Sequence, residues 1–267
     1  MNNIILSTRR IYALIYRYCT LLLHSIPRLV ETLYWPIINT MLLGFMNYYL
    51  LKQRGLSEGS FHTILGATLL LEFFIRSQFS FMLVFMEELY SRNLGQLYTS
   101  PLRGWEQLVA YTITALLRTA AVIPAIIICN YLFDYNILSL HEWLLPFVFN
   151  MLLAGITCGI LIVCLLIRFG QSAEWFGWMF SWAFIPFMGV YYPISILPEP
   201  LQVIGHALPI SVIFENLRSF AAGGVVDGAA VLQATFVNLA YLAGAVAVFF
   251  MTLKGARVRG NLLNLNE

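Results

Sequence analysis

Three charged residues stand where the surrounding chain is apolar. Glu72 and Arg76 lie one helical turn apart in "TLLLEFFIRSQFSFMLVF", and Arg118 interrupts "YTITALLRTAAVIPAIII". A charge at bilayer depth costs about 3 kcal/mol or more, so such residues face a bundle interior or a watery cavity and mark candidate pathways. Glu72 and Arg76 can pair along one helix face. Arg118 then meets an anionic group of a substrate in a transport path, pairs with Glu72 across a helix interface, or snorkels to the surface. Other chemistry is sparse. The two aspartates, Asp134 and Asp227, are far apart in sequence, whereas an enzyme using Mg²⁺ with diphosphate substrates needs clustered carboxylates. His24, His62, His141 and His206 are dispersed and give no metal-ligand spacing. Cys19, Cys129, Cys158 and Cys164 form no CxxC pair and read as packing residues. No G-x-x-x-x-G-K-[ST] occurs, so ATP-driven work by this chain requires a partner.

The elements that position these residues are set by the solvent. Of 267 residues 60% are hydrophobic and 10% charged, against roughly 45–50% and 25% in a soluble domain, so lipid is the main solvent. The formal net charge of +2 gives no reason to expect a nucleic-acid partner. One polytopic, all-α integral membrane domain over 1–267 is expected. Six spans are read: Leu29–Leu51, Phe61–Met86, Val109–Phe133, Leu144–Ile167, Trp175–Tyr192 and Ala229–Leu253. Pro27 can open the first of them.

Before it, residues 1–27 lack a cleavage site and carry Arg17 within the apolar stretch, which excludes a signal peptide. Ile11, Leu14, Ile15, Tyr18 and Leu22 make an apolar stripe, and Arg10, Arg17 and His24 recur every seventh residue. That pattern predicts a helix lying in the membrane surface.

Between spans two and three runs the longest polar stretch, Glu87 to Leu108, with a coupling loop at 87–105. Ten lysines and arginines fall on the side of the termini and this loop, and three (Lys52, Arg54, Arg218) on the other, which predicts cytoplasmic termini and a cytoplasmic loop. Residues 193–224, "PISILPEPLQVIGHALPISVIFENLRSFAAGG", are too apolar for an exposed loop and too rich in proline for one span. Lipid cannot satisfy free backbone groups, so this predicts two short helices entering the outer leaflet and turning back. Pro198 and Pro200 lie at the bend, Pro209 starts the second arm, and Gly223 and Gly224 end it. Aromatic residues in "EWFGWMFSWAF" and "GVYYP" either anchor at headgroup level or form a platform for a sugar or lipid chain.

The sequence resembles the permease subunits of ABC-2 type transporters, exporters of polysaccharides, lipids and drugs. Two ordered motifs carry the resemblance: Arg92-x-x-Gly95-x-Leu97-x-x-Ser100-Pro101-Leu102, and "YPISILPEPLQVIGHALPISVIFENLR" before span six. The resemblance implies an interfacial N-terminal helix, a cytoplasmic coupling helix between spans two and three, and a re-entrant helical hairpin before span six. It implies a separate nucleotide-binding ATPase carrying ATP and Mg²⁺, a permease homodimer or pseudo-dimer, contact with membrane lipids, and residence in a bacterial inner membrane. Carried onto this chain, the docking residues are Glu88, Leu89, Arg92, Leu94, Gly95, Leu97 and Pro101. Leu89, Leu94 and Leu97 are then available to a partner groove. The gate residues are Pro193, Pro198, Glu199, Pro200, Pro209, Glu215 and Arg218. The chain departs from the family in carrying charges within spans two and three. A membrane-embedded lipid or glycosyl transferase, which would need the clustered carboxylates this chain lacks, and a channel or scaffold, which gives no reason for a docking loop like Glu87 to Leu108, are the readings from other classes.

Overall fold

A computed structural model describes residues 2–54, 58–91 and 93–259, and the described residues are helical without strands. Eleven α-helices follow one another among the described residues. They are α1 Asn2–Leu23, α2 Ile26–Arg54, α3 Glu58–Tyr90, α4 Leu94–Thr99, α5 Gly104–Thr119, α6 Val122–Phe133, α7 Leu144–Phe169, α8 Glu174–Phe184, α9 Glu199–Ala207, α10 Pro209–Ala221 and α11 Gly228–Arg259. Five stretches among the described residues are long and apolar enough to cross a membrane: Ile26–Lys52, Gly59–Tyr90, Gly104–Phe133, Ile137–Phe187 and Gly228–Val258.

The core is built on α3 and α7. Gly155 and Gly159, four apart on α7, face α3 so closely that a Cβ on Gly155 would sit 2.5 Å from the Phe74 carbonyl oxygen. One on Gly159 would sit 2.7 Å from Phe81 Cβ. Small residues at this spacing let helix backbones approach where no hydrophobic effect drives them together. α11 packs on the far side of α7 through a buried polar knot. Asn150 Nδ2 donates to Thr235 Oγ1 at 2.9 Å, and Asn238 Nδ2 to Asn150 Oδ1 at 2.8 Å. α2 and α11 leave most of their apolar surface exposed, as helices at the rim of a bundle do.

The structure departs from the sequence reading in three places. The span expected at Val109–Phe133 starts earlier, at Gly104, and breaks into α5 and α6 at Ala120–Ala121. The span expected at Trp175–Tyr192 is an 11-residue helix, α8, followed by a 3₁₀ turn at Ile185–Phe187. At 1.5 Å per residue α8 covers only about 16 Å of a ~30 Å hydrocarbon core. α7 and α8 fold back on each other at Gly170, whose φ of 70° suits a residue without Cβ. Beyond the turn Gly177 faces Ile162 of α7. Thirdly, the apolar stripe of α1 meets protein: Leu14 and Tyr18 are buried, and Tyr18 packs edge-on against Tyr111 of α5 at 5.7 Å.

Candidate functional site

The polar stretch between the second and third apolar runs is mostly helical. α3 continues to Tyr90, α4 occupies Leu94–Thr99, and α5 begins at Gly104. Glu106, the third residue of α5, closes the start of that helix by accepting a hydrogen bond from the backbone N–H of the N-cap residue Arg103 at 2.8 Å. Leu89, Leu94 and Leu97 are all buried in the chain's own core. The expectation that they are available to a partner groove is thereby corrected: the outward side of α4 carries Gln96 and Thr99, followed by Ser100 and Pro101. Gly95 is partly buried, and Arg92 lies outside the described residues.

Three carboxylates gather at this end of the bundle, and an arginine from another element meets each. Arg17 Nη2 donates to Glu88 Oε2 at 3.1 Å, and the same oxygen accepts from Asn93 Nδ2 at 2.8 Å. Arg10 Nη1 lies 3.6 Å from Glu106 Oε1 and donates to the Pro101 carbonyl at 2.7 Å. Arg118 Nη2 donates to Glu87 Oε1 at 3.0 Å, with Arg28 Nη1 3.8 Å from that oxygen. Glu88 and Glu106 are fully buried, so each partner offsets a desolvation cost of several kcal/mol. Burial, with Tyr111 and Glu88 beside it, raises the Tyr18 pKa far above the ordinary phenol range, so that ring stays neutral between α1 and α5.

The signal for this clamp was present in the heptad spacing of Arg10 and Arg17. Ser7, Leu14 and Tyr18 are the buried line of α1, and the two arginines lie three or four residues from Leu14, which puts them at its edge. The sequence reading placed them on a separate polar face.

Glu72 and Arg76 pair as expected, at 3.5 Å, and Asn39 of α2 donates to Glu72 Oε1 at 2.9 Å. Arg118 is taken by Glu87, not by Glu72. Asn39 and Glu87 were not singled out from sequence: an Asn in an apolar run carries no charge signal, and Glu87 falls where the run gives way to polar residues.

The segment before α11 is held by α10. Pro209 is buried at the start of α10. Glu215 Oε1 accepts from the Ile194 backbone N–H at 3.0 Å, Arg218 Nη2 donates to the Gly189 carbonyl at 2.7 Å, and the two side chains pair at 3.1 Å. Gly189 has φ of 68°, so the backbone turns there and brings both groups to α10. Pro193 caps a short 3₁₀ turn, and Pro198, Glu199 and Pro200 are exposed at the start of α9. Gly223, with φ of 80°, follows the end of α10. Trp175 and Trp182 of α8 are exposed, while Trp178 packs against Phe79 at 4.7 Å. Among the described residues no three of His, Cys, Asp or Glu come together as a metal site.

Two comparisons bear on this arrangement. The family model described as ABC-2 type transporter matches residues 15–221, which takes in Arg17 and Arg118 of the arginine clamp but not Arg10, together with the paired intramembrane charges and the segment held by α10. No curated protein matches the chain.

Proposed function

Because the chain belongs to the ABC-2 type transporter family, we propose that it is the permease subunit of an ATP-driven exporter. It moves a lipid, polysaccharide or glycoconjugate, or drug-like substrate outward, and a separate nucleotide-binding subunit binds ATP and Mg²⁺. The observation that carries this reading is the family match over 207 consecutive residues, 15–221. The arginine clamp supports it mechanically. A partner drives transport only through a rigid contact, and α4 is fixed on both flanks, by Glu88 to Arg17 and by the Pro101 carbonyl to Arg10.

In this reading α4 is the coupling helix and its exposed side, Gln96 and Thr99 with Ser100 and Pro101 after them, meets the ATPase. The termini are cytoplasmic in a bacterial inner membrane, α8 with the turn after it serves as a shortened fifth span, and α11 is the sixth. The segment through α9 and α10 is a re-entrant gate in the outer leaflet, with Glu215 and Arg218 satisfying the Ile194 N–H and the Gly189 carbonyl at its entry. Two permeases assemble with two ATPases.

The test is co-expression of the tagged chain with a candidate ATPase subunit bearing the G-x-x-x-x-G-K-[ST] motif. A stable complex whose ATP hydrolysis requires the permease supports the reading. A folded permease that neither binds nor stimulates that subunit, while Gln96→Trp changes nothing, overturns it.

A further inference from the structure

α9 and α10 meet at Leu208, and the two helices are held very differently. α10 buries seven of its 13 residues, whereas α9 buries Gly205 alone. Gly205 rests on the turns before it: a Cβ there would sit 3.0 Å from the Phe187 carbonyl oxygen and 3.1 Å from Ile194 Cγ2. Val203 and Ile204 remain 70% and 39% exposed. Beside the joint lies a cavity of about 350 Å³, with Leu208, Pro209 and Ile210 in one wall and Cys158, Tyr241 and Gly244 in another. A Cβ on Gly244 would meet nothing within 4 Å. The joint therefore has free space next to it, and α9 has little packing to keep it in place.

Pro209 causes the joint and leaves backbone carbonyls open. A continuous helix would give the Gly205 carbonyl the N–H of residue 209, which proline lacks. Ser211 Oγ stands in for it at 2.7 Å and lies 2.6 Å from the Leu208 carbonyl as well. A hydroxyl has one hydrogen, so Ser211 has none to spare for a third acceptor. The Ala207 carbonyl would take the Ser211 N–H in a continuous helix, but that group donates to Leu208 at 3.1 Å. Ala207 is served instead by Tyr241, whose hydroxyl donates to it at 3.0 Å and is the one side-chain bond from α11 to α9 among the described residues. Tyr241 stands about 20 Å along α11 from Gly228, which puts it inside a ~30 Å hydrocarbon core. No water is at hand there to replace the donor.

We infer that α9 is the moving flap of this segment and that Tyr241 is the positioning residue that holds it shut. The Tyr241 hydroxyl ties the deep end of α9 to α11. Without that bond α9 pivots at Leu208 while α10 stays in the bundle, and water enters the cavity and takes over the Ala207 carbonyl. α11 also lies against Gly104 at the start of α5, through Phe250 and Leu253, so one helix touches both the flap and the polar stretch around α4. As a mechanical property of α9 this stands alone; as the exit gate of an exporter it rests on the reading above.

The test uses the full-length protein in nanodiscs, with its native Cys158, half-buried in the cavity wall, as the reporter. An impermeant maleimide, read by peptide mass, should modify Cys158 slowly in the parent protein and about fivefold faster in Tyr241→Phe, as the loss of one hydrogen bond allows. Hydrogen–deuterium exchange should speed up over residues 201–207 and stay unchanged over 213–217. Unchanged Cys158 labelling in Tyr241→Phe would leave the tyrosine no holding role and overturn the proposal. Exchange that rises over α10 as much as over α9 would make the segment move as one body and overturn it too. In the complex with the ATPase, nucleotide should speed Cys158 labelling of the parent and add nothing in Tyr241→Phe; an equal nucleotide effect in both would place the moving part elsewhere. A chain that binds no ATPase while its flap behaves as stated would count against the exporter reading alone.

Discussion

Arg17 and Glu88, 71 positions apart in the chain, meet at 3.1 Å, with the carboxylate fully buried and the guanidinium partly in water. This one contact joins α1 to the end of α3. Because Arg17 is more than a third exposed, solvent screens the pair, and its loss should cost no more than about 2 kcal/mol. Hydrogen–deuterium exchange across α1 should speed up in Arg17→Ala. Glu88→Gln should do less, since an amide oxygen can still accept from Asn93. Unchanged exchange in Arg17→Ala would show that α1 is anchored by its apolar side alone.

The partner of Arg118 is testable by coupling energies. A double-mutant cycle of Arg118→Gln with Glu87→Gln should give an interaction of about 1 kcal/mol or more in denaturant unfolding. The cycle with Glu72→Gln should come closer to additive. The reverse ranking would restore Glu72 as the partner.

Gly155 is the tightest point of the α3–α7 contact. Gly155→Ala forces a Cβ toward the Phe74 backbone carbonyl, which cannot swing aside, and should destabilise by about 1–3 kcal/mol. Gly244→Ala on α11 meets nothing within 4 Å and should be neutral or slightly stabilising. Thermal unfolding of the two purified variants distinguishes them.

The orientation of α4 predicts two different failures. Gln96→Trp should leave the permease folded and at normal levels while reducing ATPase association at least tenfold. Leu97→Asp should instead lower the amount of folded permease, because it puts a charge into the core. Normal levels of Leu97→Asp with lost association would mean that Leu97 faces the partner after all.

For the segment held by α10, a cysteine at Glu199 should react readily with an impermeant maleimide, and one at Ile194, which is 4% exposed, should not. Adding Glu215→Ala removes the acceptor of the Ile194 N–H and should raise labelling at 194 severalfold. Equal labelling at both positions in the unmodified background would make this an ordinary external loop.

The sequence carried much of the scaffold. Apolar runs located α2, α3, α7 and α11, Pro27 stands in the first turn of α2, and the glycine pair after Ala222 follows the end of α10. What escaped was sidedness and reach. α4 has six residues, too few for a 3.6-residue period to say which face is inward, so Leu94 and Leu97 suit a core and a partner equally. Arg118 sits 31 positions from Glu87, and no local spacing announces that pair. The turn at Gly170 was legible, but the length of α8 was not. Its composition continues apolar through Tyr192, and only the packing reveals that helix gives way to tight turns near Pro186.

Only His24 and Ser25 separate the end of α1 from the start of α2. A two-residue tether has almost no slack, so α1 cannot slide without tugging the base of α2. α1 is itself gripped on both flanks of α4, and α2 forms one wall of a groove lined by Arg76 and Arg118 while giving up little of its own surface to the rest of the bundle. A displacement applied at α4 is therefore geared, through a short stiff crank, to the width of a groove on another part of the molecule. Spin labels on Tyr34 and Met179, both exposed, should report a change in separation when the ATPase binds nucleotide, and severing the Arg17 link should uncouple the two.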